Sequence, residues 1–252
     1  MSDILWSIIA FCRFFCFLII GAIFIPLHVV YGLVTKDWLS PGCVLAGITC
    51  KILGIKVIKK GEQVTRGPII YVANHMPWAD VVVLGALFRA RFVSKEEVKS
   101  WPLFGLLATL RRTIYIQRTR KGVIEGNRQV KEAIEDGDNV AVFPEGTNSY
   151  VYNEILPFKS NFLSIVEEAP TVRVQPVAAK VTAVNGRSKI DQALFERYAW
   201  TDMEFLPHFW RFLKTKSFEV TFCFCPPLEN SGDRKDMTKK AEEAINKAWQ
   251  EI

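Results

Sequence analysis

The chain has 252 residues, enough for one catalytic-sized domain and a short appendage, and half of its residues are apolar. A mean hydropathy of +0.14 is high for a freely soluble protein, and a formal charge of +6 with a pI near 9.0 favours anionic partners: nucleic acid, anionic lipid headgroups or phosphate-bearing substrates. Six cysteines (Cys12, Cys16, Cys43, Cys50, Cys223 and Cys225) show no C-x-x-C pair and no zinc-like spacing, which excludes a cysteine-built metal site and leaves reduced, buried thiols in a cytosolic environment.

From Phe14 to Val34 run 21 residues without a formal charge apart from whatever His28 carries, bracketed by Arg13 and Lys36. As a helix this stretch can cross a hydrocarbon core of about 30 Å. Pro26 would kink it and His28 would be costly in lipid, so a spanning helix competes with a shallow or broken one. The opening MSDILW carries an acid and no base, which fits a signal peptide poorly. Pro41 leads into a second short apolar helix ending near Gly54, able to pair with the first as a hairpin. Residues 1–54 therefore read as a membrane-associated helical segment.

Beyond Gly54 strands and helices alternate, which predicts an α/β domain over 55–252 with a central, mostly parallel sheet flanked by helices. Strands are expected at Ile55–Lys59, Pro68–Ala73, Arg91–Ser94, Ile114–Gln117, Asn139–Phe143, Val172–Val181 and Phe218–Cys225. Helices are expected at Pro77–Phe88, after Ser94 with a Ser94/Glu97 capping box, and at Val123–Asp136, Ser160–Glu168 and Thr238–Ile252. The segment EFLPHFWRFL, which holds His208, reads as amphipathic surface or lipid-facing structure.

Of three histidines, His75 has the address of a reactive group, because it follows directly on an apolar strand and side chains at strand ends open into a crevice. Asp80 stands five residues later, about 140° round a continuous helix, which would prevent contact. Pro77 suits a first helical position, so His75 falls in the turn before the helix and Asp80 in its first turn, where N–H groups favour an anion. A carboxylate so placed holds Nδ1–H and leaves Nε2 as a base.

The turn FPEGTNS, Phe143–Ser149, leaves a second apolar strand and presents N–H groups and hydroxyls able to hold an oxyanion. Arg111, Arg112, Arg118, Arg120 and Lys121 flank the strand IYIQ, and guanidinium groups suit phosphate, with Arg118 best placed. No aromatic side chains are interleaved with these charges and no nucleic-acid module is present, so nucleic acid is not expected as a partner.

In order and spacing these blocks resemble the 1-acylglycerol-3-phosphate acyltransferases, the PlsC-type glycerolipid acyltransferases. The resemblance spans about residues 55–185. It rests on Asn74, His75 and Asp80 in N-H-x-x-x-x-D, on IYIQR ending at Arg118, on FPEGT at Phe143–Thr147, and on VQPVA at Val174–Ala178. LPFKSNF, Leu156–Phe162, resembles the family's connector after the third block. Two positions depart: Asn148 stands where many members have arginine, and Asn161 where glycine is frequent.

The resemblance implies acyl transfer from acyl-CoA or acyl carrier protein to the sn-2 hydroxyl of 1-acyl-sn-glycerol-3-phosphate, giving phosphatidate without an acyl-enzyme, a metal or a cofactor. It implies His75 and Asp80 as the base dyad, and Arg118, Glu145, Gly146 and Thr147 as substrate-binding residues. A carboxylate beside a phosphate would repel it, so Glu145 is better suited to a glycerol hydroxyl or to fixing a neighbouring arginine. The location implied is the cytoplasmic membrane, with the site on its cytoplasmic side. Another lyso-lipid, such as lyso-ornithine lipid, is an alternative acceptor. A non-enzymatic membrane-binding protein with a structural His75 is the competing class.

Overall fold

A computed structural model describes residues 3–101, 103–117, 119–200 and 203–252. Its centre is a seven-stranded sheet in the order β1-β7-β6-β2-β5-β3-β4. The strands are β1 (Ile55–Gly61), β2 (Ile69–Ala73), β3 (Ala90–Lys95), β4 (Ile114–Ile116), β5 (Asn139–Val142), β6 (Arg173–Val184) and β7 (Phe218–Phe224). All neighbours are parallel except β6 and β7, as the alternating pattern predicts.

Alternate residues of the central strands feed opposite cores, because successive side chains in a strand point to opposite faces. Ile69, Tyr71 and Ala73 join one cluster, and Ile70 and Val72 the other. The first face is covered by α2 (Ser40–Ile52), α3 (Ala79–Leu87) and α7 (Phe205–Leu213), the second by α5 (Arg120–Glu135) and α8 (Arg234–Gln250). Two further helices are short, α4 (Phe104–Leu110) and α6 (Gln192–Phe195). Thr119 caps α5 by accepting the Gly122 N–H, and Asp233 caps α8, so both begin earlier than their apolar periodicity suggests.

Helix α1 (Asp3–Thr35) runs 33 residues and continues through Pro26 without a break. It is the one described helix long and apolar enough to cross a membrane, and only 17% of its most apolar window is buried. His28 is buried on its inner side, with Nε2 2.9 Å from the Trp38 carbonyl, so it does not face lipid. Cys12 and Cys16 lie exposed on this helix, not buried as expected; Cys50 and Cys225 are buried, and all six thiols are free.

Arg13 ties α1 to the α/β body. Its guanidinium donates to the carbonyls of Leu213 (2.9 Å), Thr215 (2.6 Å) and Lys216 (2.8 Å), at and just beyond the end of α7. Gly54, at φ +71°, makes the room: a Cβ there would lie 2.7 Å from both Arg13 Nη2 and the Lys216 oxygen.

Three sequence expectations are corrected. Ser94 caps no helix, because β3 extends to Lys95 through pairing with β4, and only a short 3-10 turn, Glu96–Ser100, follows. Ser160–Glu167 is likewise 3-10, with non-helical geometry at Leu163. The EFLPHFWRFL segment is amphipathic, with Leu206 and Pro207 exposed, but His208 lies on its inner face: α7 buries His208, Phe209, Phe212 and Leu213.

Candidate active site

The two turns singled out in the sequence leave neighbouring parallel strands at the same end of the sheet. β2 and β5 pair Val72 with Val142, so Asn74–His75 and Phe143–Glu145 emerge side by side. The Asn74 amide donates to the Ala179 carbonyl (2.9 Å) and accepts the Ala179 N–H (2.7 Å), which fastens the first turn to β6.

His75 and Asp80 meet. His75 Nδ1 lies 3.1 Å from Asp80 Oδ2, and the same oxygen accepts the Met76 N–H at 2.6 Å. Helix α3 starts two residues later than Pro77, but Asp80 still sits in its first turn, and Asp80 N–H donates to the Pro77 carbonyl. The imidazole stacks on Phe143, centroids 4.2 Å apart, with 17% of its side chain exposed. Its Nε2 makes no hydrogen bond among the described residues. Asp80 is fully buried, and desolvation pushes its pKa up against the opposing pull of His75, the Met76 N–H and Tyr198.

Glu145 turns inward. It is 2% exposed, and Oε1 accepts the backbone N–H of His75 at 3.0 Å, while Oε2 has no hydrogen-bond partner among the described residues. Burial pushes its carboxyl up to about 8, despite the nearby N–H groups of His75 and Leu156. Ser149 N–H closes the other side by donating to the His75 carbonyl at 3.1 Å.

Gly146 (φ +70°) and Thr147 form the half-buried outer side of this turn, and the N–H groups of Thr147 and Asn148 make no hydrogen bond among the described residues. Lys159 Nζ stands over the turn, 3.1 Å from where a side chain on Gly146 would begin. Its ammonium makes no ion pair among the described residues.

Of the basic cluster, Arg118 lies outside the described residues. Arg111 does not point to solvent. It is buried between α2 and α3, donates to the carbonyls of Gly85 (2.9 Å) and Phe88 (3.0 Å), and lies 5.5 Å from the Phe92 ring. It is structural.

A mostly apolar cavity is walled by Trp78 of the His75–Asp80 turn together with Phe17, Leu45, Val82, Phe104 and Phe209. Trp78, within the His75–Asp80 turn, packs against Phe205, Phe209 and Phe212 of α7. The Ser149 hydroxyl, expected among the groups that could hold an oxyanion, is instead buried and donates to the Val151 carbonyl (3.2 Å) and the Glu154 carboxylate (3.1 Å), while neither Trp78 nor Tyr198 is a position singled out in the sequence. Trp78 alone could have been suspected, as a large apolar residue between His75 and Asp80.

Residues 55–180 match the family model described as Acyltransferase. Lyso-ornithine lipid O-acyltransferases of Rhizobium meliloti and Brucella abortus are 32% and 30% identical to this chain. Each match covers 79% of this chain, and 71% and 77% of the respective relative. A 1-acyl-sn-glycerol-3-phosphate acyltransferase of Neisseria gonorrhoeae is 29% identical over 77% of this chain and 73% of its own. The crystal structure of the 1-acyl-sn-glycerophosphate acyltransferase PlsC from Thermotoga maritima superposes with a TM-score of 0.67, covering 99% of this chain and 95% of that one at 18% identity, a likeness of fold. With the family model spanning residues 55–180 and relatives matching over most of its length, this chain belongs to the PlsC-type glycerolipid acyltransferase family.

Proposed function

We propose that the protein transfers a fatty acyl group from acyl-CoA or acyl carrier protein to the sn-2 hydroxyl of 1-acyl-sn-glycerol-3-phosphate, with His75 as general base. The observation that carries this reading is the His75 ring itself: Nδ1 is held by a buried carboxylate and Nε2 is left free at the strand ends. With its proton on Nδ1, the ring offers the Nε2 lone pair to the acceptor alcohol.

As the alcohol oxygen attacks the thioester carbonyl, its proton passes to Nε2 and Asp80 stabilises the imidazolium. The unengaged N–H groups of Thr147 and Asn148 suit the developing oxyanion. Collapse breaks the carbon–sulfur bond, and the thiolate recovers the proton from Nε2. No step calls for a metal. The apolar cavity beside Trp78 suits the acyl chain. Arg118 and Lys159 would meet the headgroup anion, while Glu145 supports His75 from below. The reaction would take place on the cytoplasmic side of the membrane, where α1 attaches the protein.

Lyso-ornithine lipid is the second reading for the acceptor. It is favoured by the names of the relatives at 30–32% identity and by the burial of Arg111, which removes one cation from a phosphate site. Purified enzyme assayed with both thioesters against lysophosphatidate, lyso-ornithine lipid and other lysophospholipids decides. Turnover of lysophosphatidate abolished by His75→Ala is the expected result. Turnover of lyso-ornithine lipid alone selects the second reading, and none with any pair overturns both.

A further inference from the structure

Tyr198 comes from the stretch after Arg197, to which the sequence assigned no role. Its backbone N–H donates to the Phe195 carbonyl at 2.8 Å, in the turn after α6. Its side chain is fully buried, packed against Phe212 and Phe218 with ring centroids 5.8 and 5.2 Å away. The hydroxyl reaches one polar group, Asp80 Oδ1, at 3.4 Å.

The Asp80 carboxylate is thereby held at both oxygens. Oδ2 takes the His75 and Met76 donors, and Oδ1 takes the phenol. Without that donor Oδ1 would be an anionic oxygen buried with no hydrogen bond, a costly arrangement in a desolvated site. The phenol also withdraws part of the charge that would otherwise draw a proton to His75.

We propose that Tyr198 is a positioning residue for the dyad: it fixes the Asp80 carboxylate in the orientation that meets Nδ1 and sets how readily the pair takes up a proton. This rests on the dyad reading above. Because one carboxylate holds both the imidazole and the phenol, a change at the phenol reaches His75 through Asp80. The other titratable groups around it are known. Glu145 faces the dyad from the FPEGT turn with Glu154 behind it, Cys50 of α2 lies near the phenol, His208 of α7 lies across Trp78, and Lys159 stands over the FPEGT turn. None of these donates a hydrogen bond to Asp80.

The test is Tyr198→Phe, which removes one oxygen and keeps the ring. In detergent micelles, 15N-histidine NMR follows the His75 titration without any substrate. Its midpoint should rise by about half a pH unit or more, because a donor to the anionic pair is gone. Where turnover is measured, kcat should fall roughly tenfold, the acceptor KM should change less than about twofold, and the acid limb should move to higher pH. A purely structural tyrosine would leave the titration where it was. Site-specific 3-fluorotyrosine at 198, a stronger donor of nearly the same shape, should move the midpoint the opposite way, and it decides the matter if Tyr198→Phe does not fold. An unmoved His75 midpoint in the folded variant overturns the proposal. A shifted midpoint supports it even if no lyso-lipid is turned over, in which case the reaction proposed above fails and the pairing stands.

Discussion

The backbone N–H of His75 donates to the Glu145 carboxyl at 3.0 Å, so the residue with the free imidazole nitrogen is held in place by the FPEGT turn. A carboxyl group in that position anchors a backbone, while the FPEGT turn's outer side, from Gly146 to Asn148, stays half-buried.

His75→Ala should lower kcat by about a hundredfold to ten-thousandfold with thermal unfolding unchanged within a few degrees, since the ring is partly exposed and its removal opens no large core void. Asp80→Asn should also cost activity, by disturbing the tautomer that leaves Nε2 as acceptor. Steady-state kinetics with calorimetry on the same preparations checks both. Full activity in His75→Ala would end the general-base assignment.

Glu145 carries a pH signature. Its carboxyl is raised from the ordinary 4.5 to about 8 in the folded protein, so its contribution to stability is complete below pH 4.5 and is lost as pH rises through about 8. Glu145→Gln keeps an oxygen for the His75 N–H and cannot ionise. Melting temperatures from pH 5 to 9 should decline less steeply for the variant than for the parent.

His208 predicts the opposite limb. Burial lowers its pKa to about 4 from 6.5, and neither ring nitrogen has a partner among the described residues. Stability from this group is present above pH 6.5 and lost as pH falls through about 4. His208→Phe removes two unsatisfied polar atoms from an aromatic cluster and should raise stability by about 1 kcal/mol at pH 7, and by more at pH 4.5. Paired denaturant titrations at the two pH values measure it.

Arg111→Ala should destabilise by roughly 3 kcal/mol, because it strips the Gly85 and Phe88 carbonyls of a buried cationic donor. The acceptor KM of whatever folded enzyme remains should be unchanged. A raised KM for phosphate-bearing acceptors with unaltered stability would return Arg111 to the substrate.

The readable parts of this protein were those carried by short spacing. A parallel sheet buried on both faces writes apolar runs such as IIYVA into the chain, and a histidine one turn before an aspartate is visible over five positions. What was misread depended on neighbours. Arg111 reads as one of a cluster suited to phosphate, and only the packing of α2 against α3 shows its burial. Ser94 resembles a helix cap until β4 pairs with it through Tyr115. His208 looked superficial because its helix is amphipathic, but the polar side of that pattern is short and the histidine faces in. Tyr198 lies 118 positions from Asp80, a separation no local pattern spans.

Arg13 also bears on how the enzyme meets its substrate. Three carbonyls at and just beyond the end of α7 are held by one guanidinium from the apolar helix, and Lys214 adds an ion pair to Asp3 at 2.7 Å. The apolar helix is therefore a keel and not a tether: the body cannot swivel about it without freeing those oxygens, so the helix axis and the mouth of the site keep one angle to each other. A version shortened to begin after residue 35 would lose this brace and bare the ring of Phe209, which Phe14 now covers.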